Sequence, residues 1–102
     1  MIKEISQNDY ASLDHSSAML IEFYSKTCGP CKMLSFVLKD IVKQKPDFPI
    51  YIIDFDENRE LKERLGVKGF PTMLFFREGK EVSRLEGLKQ KPAIIKAIDE
   101  LS

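Results

Sequence analysis

The residues best suited to chemistry in this 102-residue chain are its two cysteines, Cys28 and Cys31, set in Cys28-Gly29-Pro30-Cys31. They stand where an apolar run, Met19-Leu20-Ile21-Glu22-Phe23-Tyr24, gives way to a long stretch of helical periodicity. At a helix N-terminus the unpaired N–H groups and the positive end of the macrodipole favour an anion, so a thiol there ionises more readily than the roughly 8.5 of a free cysteine. Cys28 is therefore the expected nucleophile. Pro30 falls in the first turn, where its missing N–H breaks no helical hydrogen bond and its ring stiffens the link between the sulfurs. Cysteines one helical turn apart can also meet the Cα separation of about 4.4 to 6.8 Å that a disulfide requires. Metal binding and a structural bridge are the competing readings. Two cysteines and one distant histidine, His15, cannot supply four ligands within one chain, so no metal is expected. A bridge closing so short a loop constrains the unfolded chain little. Reversible dithiol–disulfide exchange is the reading the residues favour.

The elements that must position this pair follow from periodicity and turn chemistry. Ser6 with Asp9 three residues on resembles a side-chain cap, which predicts a short helix over Ser6 to Leu13. Ala18 to Tyr24 has the length and composition of a strand buried on both faces, with Glu22 as its one exception. From Pro30 to about Lys45, Met33, Leu34, Val37, Leu38, Ile41 and Val42 recur at helical spacing, and Pro46 and Pro49 end the helix. Met33, Leu34 and Phe36 are read as helix packing. Ile50 to Phe55 is a second apolar strand, and Asn58 is expected to cap a short helix carrying Leu61 and Leu65 and closed by Gly66. Thr72 to Phe76 and Glu81 to Leu85 flank a hairpin turn at Arg77-Glu78-Gly79-Lys80. Ile94, Ile95, Ile98 and Leu101 line a final helix with Pro92 in its first turn. A parallel βαβ half followed by an antiparallel hairpin and a closing helix is an α/β fold, a mixed central sheet flanked by helices on both faces.

Taken together, these motifs resemble the thioredoxin family across almost the whole chain. The resemblance is carried by Cys28-Gly29-Pro30-Cys31-Lys32, Ile21-Glu22-Phe23-Tyr24, Asp54-Phe55-Asp56, Gly66-Val67-Lys68-Gly69-Phe70-Pro71-Thr72, Phe76-Arg77-Glu78-Gly79 and Gly87. It implies the thioredoxin fold and a protein-disulfide reductase in which Cys28 attacks and Cys31 resolves. It assigns to Pro71 the family's cis-proline facing the cysteines, and to Phe70, Pro71, Thr72 and Gly87 a substrate groove, where the Phe70 backbone pairs with an extended segment. Thr27, Gly29 and Pro30 border that groove around the first cysteine. Gly87 also has a plainer reading as a loop glycine. Glu22 takes the place of the family's buried carboxylate, usually Asp, which relays a proton to and from the resolving cysteine. A carboxyl in an apolar strand should have a raised pKa, which suits that exchange; the other reading turns Glu22 to solvent at a sheet edge. The family's lysine near this carboxylate aligns with Ile52, and the tryptophan before the first cysteine is replaced by Thr27. His15 reads as a surface residue near the end of the first helix.

Composition bounds the rest. An apolar fraction of 43% and a charged fraction of 31% describe an ordinary globular chain, and the length suits one domain over residues 1–102. Sixteen basic and sixteen acidic residues sum to a formal charge of zero, so no nucleic acid or membrane partner is expected. Two closely spaced cysteines and the lack of a leader-like start point to the cytoplasm. No cofactor is expected, since GxGxxG is absent. The expected partners are disulfide-containing protein substrates and a separate reductase that supplies electrons, and the chain is expected to be a monomer. The alternatives are a docking or assembly module of the same fold without redox turnover, and a disulfide oxidase or isomerase. Lys26, Lys32, Lys68, Lys89 and Lys91 are expected to gather beside Cys28, with Asp54, Asp56, Glu57 and Glu60 mostly elsewhere.

Overall fold

The computed structural model describes residues 1–102. Nine elements follow in order: β1 (Ile2–Glu4), α1 (Gln7–Ala11), β2 (Met19–Tyr24), α2 (Gly29–Gln44), β3 (Ile50–Asp54), α3 (Arg59–Arg64), β4 (Thr72–Arg77), β5 (Lys80–Glu86) and α4 (Lys91–Asp99). The five strands form one sheet in the order β1-β3-β2-β4-β5. β3 runs parallel to β1 and β2, whereas β4 and β5 are antiparallel to their neighbours. This is the mixed α/β sheet expected from the sequence. β1 was not expected. Its three residues lie at the sheet edge and are half-buried or exposed, so they carry neither the alternation nor the apolar run by which a strand is recognised.

Strand alternation divides the core into two. Leu20, Ile50, Met73 and Phe75 face α2 and α4, meeting Leu34, Leu38, Ile41, Ile94 and Ile98. Met19, Ile21, Phe23, Ile53, Leu74 and Phe76 face the other way, where Ile5, Leu61 and Val67 cover them. β2 sits between β3 and β4 with both faces covered, which explains its nearly unbroken apolar composition. Glu22 shares the parity of Leu20 and stands opposite Ile52 on β3 and Met73 on β4, so it points toward α2.

Local chemistry sets the element ends. Ser6 accepts from the Asp9 amide and Asp9 accepts from the Ser6 amide, a reciprocal cap for α1. Asn58 occupies the N-cap position of α3 but does not cap it. Its Oδ1 accepts from the Gln7 amide at 2.8 Å, and Gln7 Oε1 accepts from the Leu61 amide at 3.1 Å. The side chain from α1 thus caps α3, a long-range exchange that spacing alone does not reveal. Glu78 and Gly79 both adopt positive φ, 52° and 79°, the combination a two-residue hairpin loop requires. Along α2, Cys31, Leu34, Leu38 and Ile41 are buried, but Met33 is 60% and Phe36 69% exposed. The reading of Met33 and Phe36 as packing residues is therefore corrected. Both fall outside the inward stripe, since i, i+3, i+7 and i+10 from Cys31 already fill it.

This division yields a stability contrast. Leu38→Ala, which empties a fully buried position, should cost about 2–5 kcal/mol. Met33→Ala should stay within about 0.5 kcal/mol of the parent. Urea unfolding of the oxidised proteins measures both, and similar losses would contradict the burial assigned to α2.

Candidate active site

The parallel register that pairs Tyr24 with Asp54, and the antiparallel one that pairs Phe23 with Thr72 and Thr72 with Glu86, bring four loops to one end of the sheet. These are 25–28, 55–58, 69–71 and 87–90. The C-terminal end of parallel strands is where an open α/β sheet holds its ligands.

At this end Cys28 is the N-cap of α2, with Pro30 in the first turn. Cys28 and Cys31 form a disulfide with their Cα atoms 5.2 Å apart. The Cys31 amide donates to Cys28 Sγ at 3.1 Å. On reduction, that N–H and the positive end of a 16-residue helix face the Cys28 sulfur and favour its thiolate. The two cysteines are almost equally covered, at 6% and 5% exposure, so any difference in their reactivity rests on the helix end and its hydrogen bond. Gly29 and Pro30 are exposed, as is Thr27.

The loop before β4 completes this face. The Phe70–Pro71 peptide bond is cis, and Gly87 N–H donates to the Pro71 carbonyl at 2.8 Å. Gly87 has φ +86°, a conformation that an L side chain adopts only with strain, and that hydrogen bond ties it to the Pro71 loop. Phe70 is 41% exposed, and neither its N–H nor its C=O is engaged in a backbone hydrogen bond. Thr72 is buried and its hydroxyl donates to the Gly69 carbonyl at 2.8 Å, so its side chain braces the loop from inside. Two residues not singled out for this site support Phe70. Phe55 meets its ring edge-on at 5.1 Å, and Lys62 Nζ lies 3.7 Å from the Phe55 ring centre. An aromatic pair 15 residues apart has no sequence signal until the β3 register is known.

Glu22 is 2% exposed, and its Oε2 has no hydrogen-bond partner. The solvent-facing reading is thereby excluded. Burial alone pushes its carboxyl from 4.5 up to about 8, and with Ile52 opposite it no lysine stands there to oppose the shift. Glu22 and Cys31 line one cavity of about 390 Å³, whose walls include Ile52, Leu38, Tyr24 and Lys26. Tyr24 donates to Glu4 Oε2 at 2.7 Å; burial, then that hydrogen bond, raises its phenol pKa and keeps it protonated.

The expectation that the acidic residues lie mostly elsewhere is corrected, and two of the five lysines are neutralised. Lys26 turns to Glu57 at 3.3 Å and to Asp54 at 3.7 Å, and Lys91 pairs with Asp40 at 2.6 Å. Because β3 is parallel to β2, the loop carrying Asp54, Asp56 and Glu57 lies beside residues 25–27. Ser25 Oγ donates to Asp56 Oδ2 at 2.9 Å and lies 3.3 Å from Thr27 Oγ1. Acidic groups thus stand at the cysteine end. His15 is half-buried, its Nε2 2.9 Å from the Tyr10 carbonyl and its ring edge-on to Tyr10.

The Glu22 shift has a signed consequence. Below pH 4.5 both folded and unfolded chains carry this proton, and the contribution of Glu22 to stability is at its fullest. Between 4.5 and about 8 the unfolded chain ionises while the folded one keeps its proton, so stability falls as pH rises, by roughly 5 kcal/mol in all, and then levels off. In Glu22→Gln this slope should vanish, leaving the variant more stable than the parent at pH 9 and little changed at pH 4. Urea unfolding at pH 4, 6 and 9 measures the difference; parallel pH profiles would refute the buried, proton-holding carboxyl.

Comparison with known proteins agrees with this geometry. The thioredoxin family model matches residues 2–100. The chain is 38% identical over 98 residues to a thioredoxin of Chlamydia muridarum, covering 96% of each. It is 33% identical over 95 residues to thioredoxin-2 of Saccharomyces cerevisiae, covering 93% of this chain and 89% of that one. A solved mutant thioredoxin from Halobacterium salinarum superposes with a TM-score of 0.89 at 30% identity, covering 98% of this chain and 89% of that one. With its cysteine pair at the start of α2 and this sheet order, the chain belongs to the thioredoxin family.

Proposed function

We propose that this thiol–disulfide oxidoreductase, a protein-disulfide reductase by family, works with Cys28 as attacking thiolate, Cys31 as resolving thiol and Glu22 as the group that moves the proton. The observation that carries the assignment is the Cys31 amide aimed at Cys28 Sγ at the N-terminus of α2. That donor stabilises a negative sulfur at position 28.

In the reduced protein the Cys28 thiolate attacks one sulfur of a partner disulfide. A bond forms between Cys28 and that sulfur, the partner's S–S bond breaks, and the released sulfur leaves as a thiolate that takes a proton from water. Cys31 then loses its proton and attacks Cys28 Sγ, which forms the Cys28–Cys31 disulfide and expels the second partner sulfur. Two electrons pass to the partner, and two cysteines of this chain are oxidised. A carboxyl with pKa about 8 is ionised in about one molecule in ten at pH 7. Glu22 can therefore take the Cys31 proton during resolution and hold it in the oxidised protein. When the disulfide is reduced again, the same carboxyl can return the proton to Cys31. Thr27, Gly29, Pro30, Phe70, Pro71 and Gly87 form the surface against which the partner lies, and the unpaired backbone of Phe70 suits an added extended segment. Thr72 serves it by bracing the loop.

The same proposal has one domain over residues 1–102 acting as a monomer in the cytoplasm, with a separate thioredoxin reductase resetting the disulfide. Cysteine usage supports the compartment, since a closely spaced redox pair in an otherwise cysteine-free chain suits a reducing environment. Retention of both cysteines disfavours a docking module without turnover.

Insulin reduction coupled to a reducing system tests the roles. Cys28→Ser should abolish turnover, whereas Cys31→Ser should make the first bond and accumulate the mixed disulfide, visible by mass spectrometry. Brief iodoacetamide treatment of the reduced protein at pH 7 should label Cys28 well ahead of Cys31. Equal labelling, or a trapped adduct in Cys28→Ser instead, would reverse the assignment. In Glu22→Gln the first attack should be nearly unchanged and release of the partner slowed by about 10–100-fold; equal effects on both steps would remove Glu22 from the mechanism.

A further inference from the structure

The apolar surface of this protein is concentrated near the disulfide in a way that the groove around Phe70 and Pro71 does not use up. Only six large hydrophobic side chains are exposed, and the two most exposed, Met33 at 60% and Phe36 at 69%, sit on α2 within three turns of Cys28. Phe70 and Leu88 are also among the six, and they lie in the loops at the cysteine end. Thr27 offers little apolar area there, so the exposed rings and thioether of α2 and the Phe70 loop provide most of it.

Charge follows the same helix. Lys32, Phe36, Lys39 and Lys43 are spaced i, i+4, i+7 and i+11, which places them in one line along the outside of α2, about 16 Å long. Met33 flanks Phe36 at i, i+3. The line begins in the first turn, where the Lys32 amide donates to the Cys28 carbonyl at 3.3 Å. Lys26, Lys45, Arg84 and Lys91 are engaged in ion pairs, but Lys32, Lys39 and Lys43 have none. Asp40, on the same helix, is held by Lys91. Lys39 Nζ lies 5.9 Å from the Phe36 ring centre, so cation and ring present themselves together. A neutral chain thus has an unneutralised basic and apolar strip running away from its reactive sulfur.

We propose that this strip, Lys32-Met33-Phe36-Lys39-Lys43, docks an acidic and apolar segment that flanks the target disulfide in a protein partner. The inference rests on the reductase reading and adds the class of partner. It follows from continuity with the disulfide and from charge complementarity: Phe36 and Met33 supply the area that an apolar side chain covers, and the lysines meet carboxylates on either side. Exposed charges are screened over about 8–10 Å at physiological salt, so the lysines act on a docked segment and give register more than long-range attraction.

Three synthetic peptides that share one intramolecular disulfide test this. The first has a tail alternating Glu with Leu and Phe, the second a Gly-Ser tail of equal length, and the third has Lys in place of Glu. In the parent protein the acidic apolar tail should raise kcat/KM about tenfold over the Gly-Ser tail, through KM, with no gain for the lysine tail. Phe36→Ala should remove most of that gain and Lys43→Glu part of it, each reducing the Gly-Ser peptide at the parent rate. Equal rates for the acidic and Gly-Ser peptides in the parent, or a gain that survives Phe36→Ala, would overturn the proposal. So would a dimer in sedimentation velocity that Phe36→Ala dissolves, since the strip would then be covered by a second copy. Failure to reduce the Gly-Ser peptide at all is a separate result, which would count against the reductase reading itself.

Discussion

β2 has neither a free edge nor a free face, and the rest of the molecule is arranged around that constraint. β3 and β4 occupy its edges and the two core clusters cover its faces. A strand so enclosed delivers its C-terminal end to a fixed place, and α2 must start within four residues of it. Cys28 is located by that junction. Its sulfur meets the Cys31 amide because the helix begins there, and the helix can begin there because Pro30 needs no amide partner in its first turn.

The same enclosure sets the titration of Glu22. A carboxyl on an exposed strand would titrate near its ordinary value; held between Ile52 and Met73 and beneath α2, it keeps its proton to about pH 8. The fold stores an unfavourable group in its most enclosed strand, beside a cavity that it shares with Cys31. Proteins commonly place such locally costly arrangements at functional sites. Here the cost and the raised pKa have one cause, removal of water from a carboxyl.

Polar contacts around the cysteine end tie the loops together. Ser25 bonds Asp56, Asp54 accepts from the amides of Asp56 and Glu57, and Lys26 spans Asp54 and Glu57. These bonds hold the loop before Cys28 against the loop after β3. Across the site, Gly87 is fixed to Pro71 and Thr72 to Gly69. The face around the disulfide is therefore tied down on both sides, while Phe70 in the middle keeps its backbone groups unengaged.

Much of this was legible in the order of residues. The spacing of Cys28 and Cys31, the apolar run of β2, the helical stripe of α2, the reciprocal cap at Ser6 and the hairpin at Glu78-Gly79 are local patterns, and local patterns depend on backbone geometry repeating over a few residues. What tertiary structure alone decided depends on pairings between distant segments. The parallel register of β2 and β3 put Asp54, Asp56 and Glu57 beside the residues that lead into Cys28, and it set Phe55 against Phe70. The edge pairing of Ile2 with Ile50 made a strand from residues with no strand pattern. Gln7 and Asn58 exchanged roles across 51 residues. Met33 and Phe36 have the composition of core residues, and only the direction in which α2 packs on the sheet shows that they face solvent. Hydrophobicity states what a side chain avoids; which side of a helix is covered is settled by the elements that pack against it.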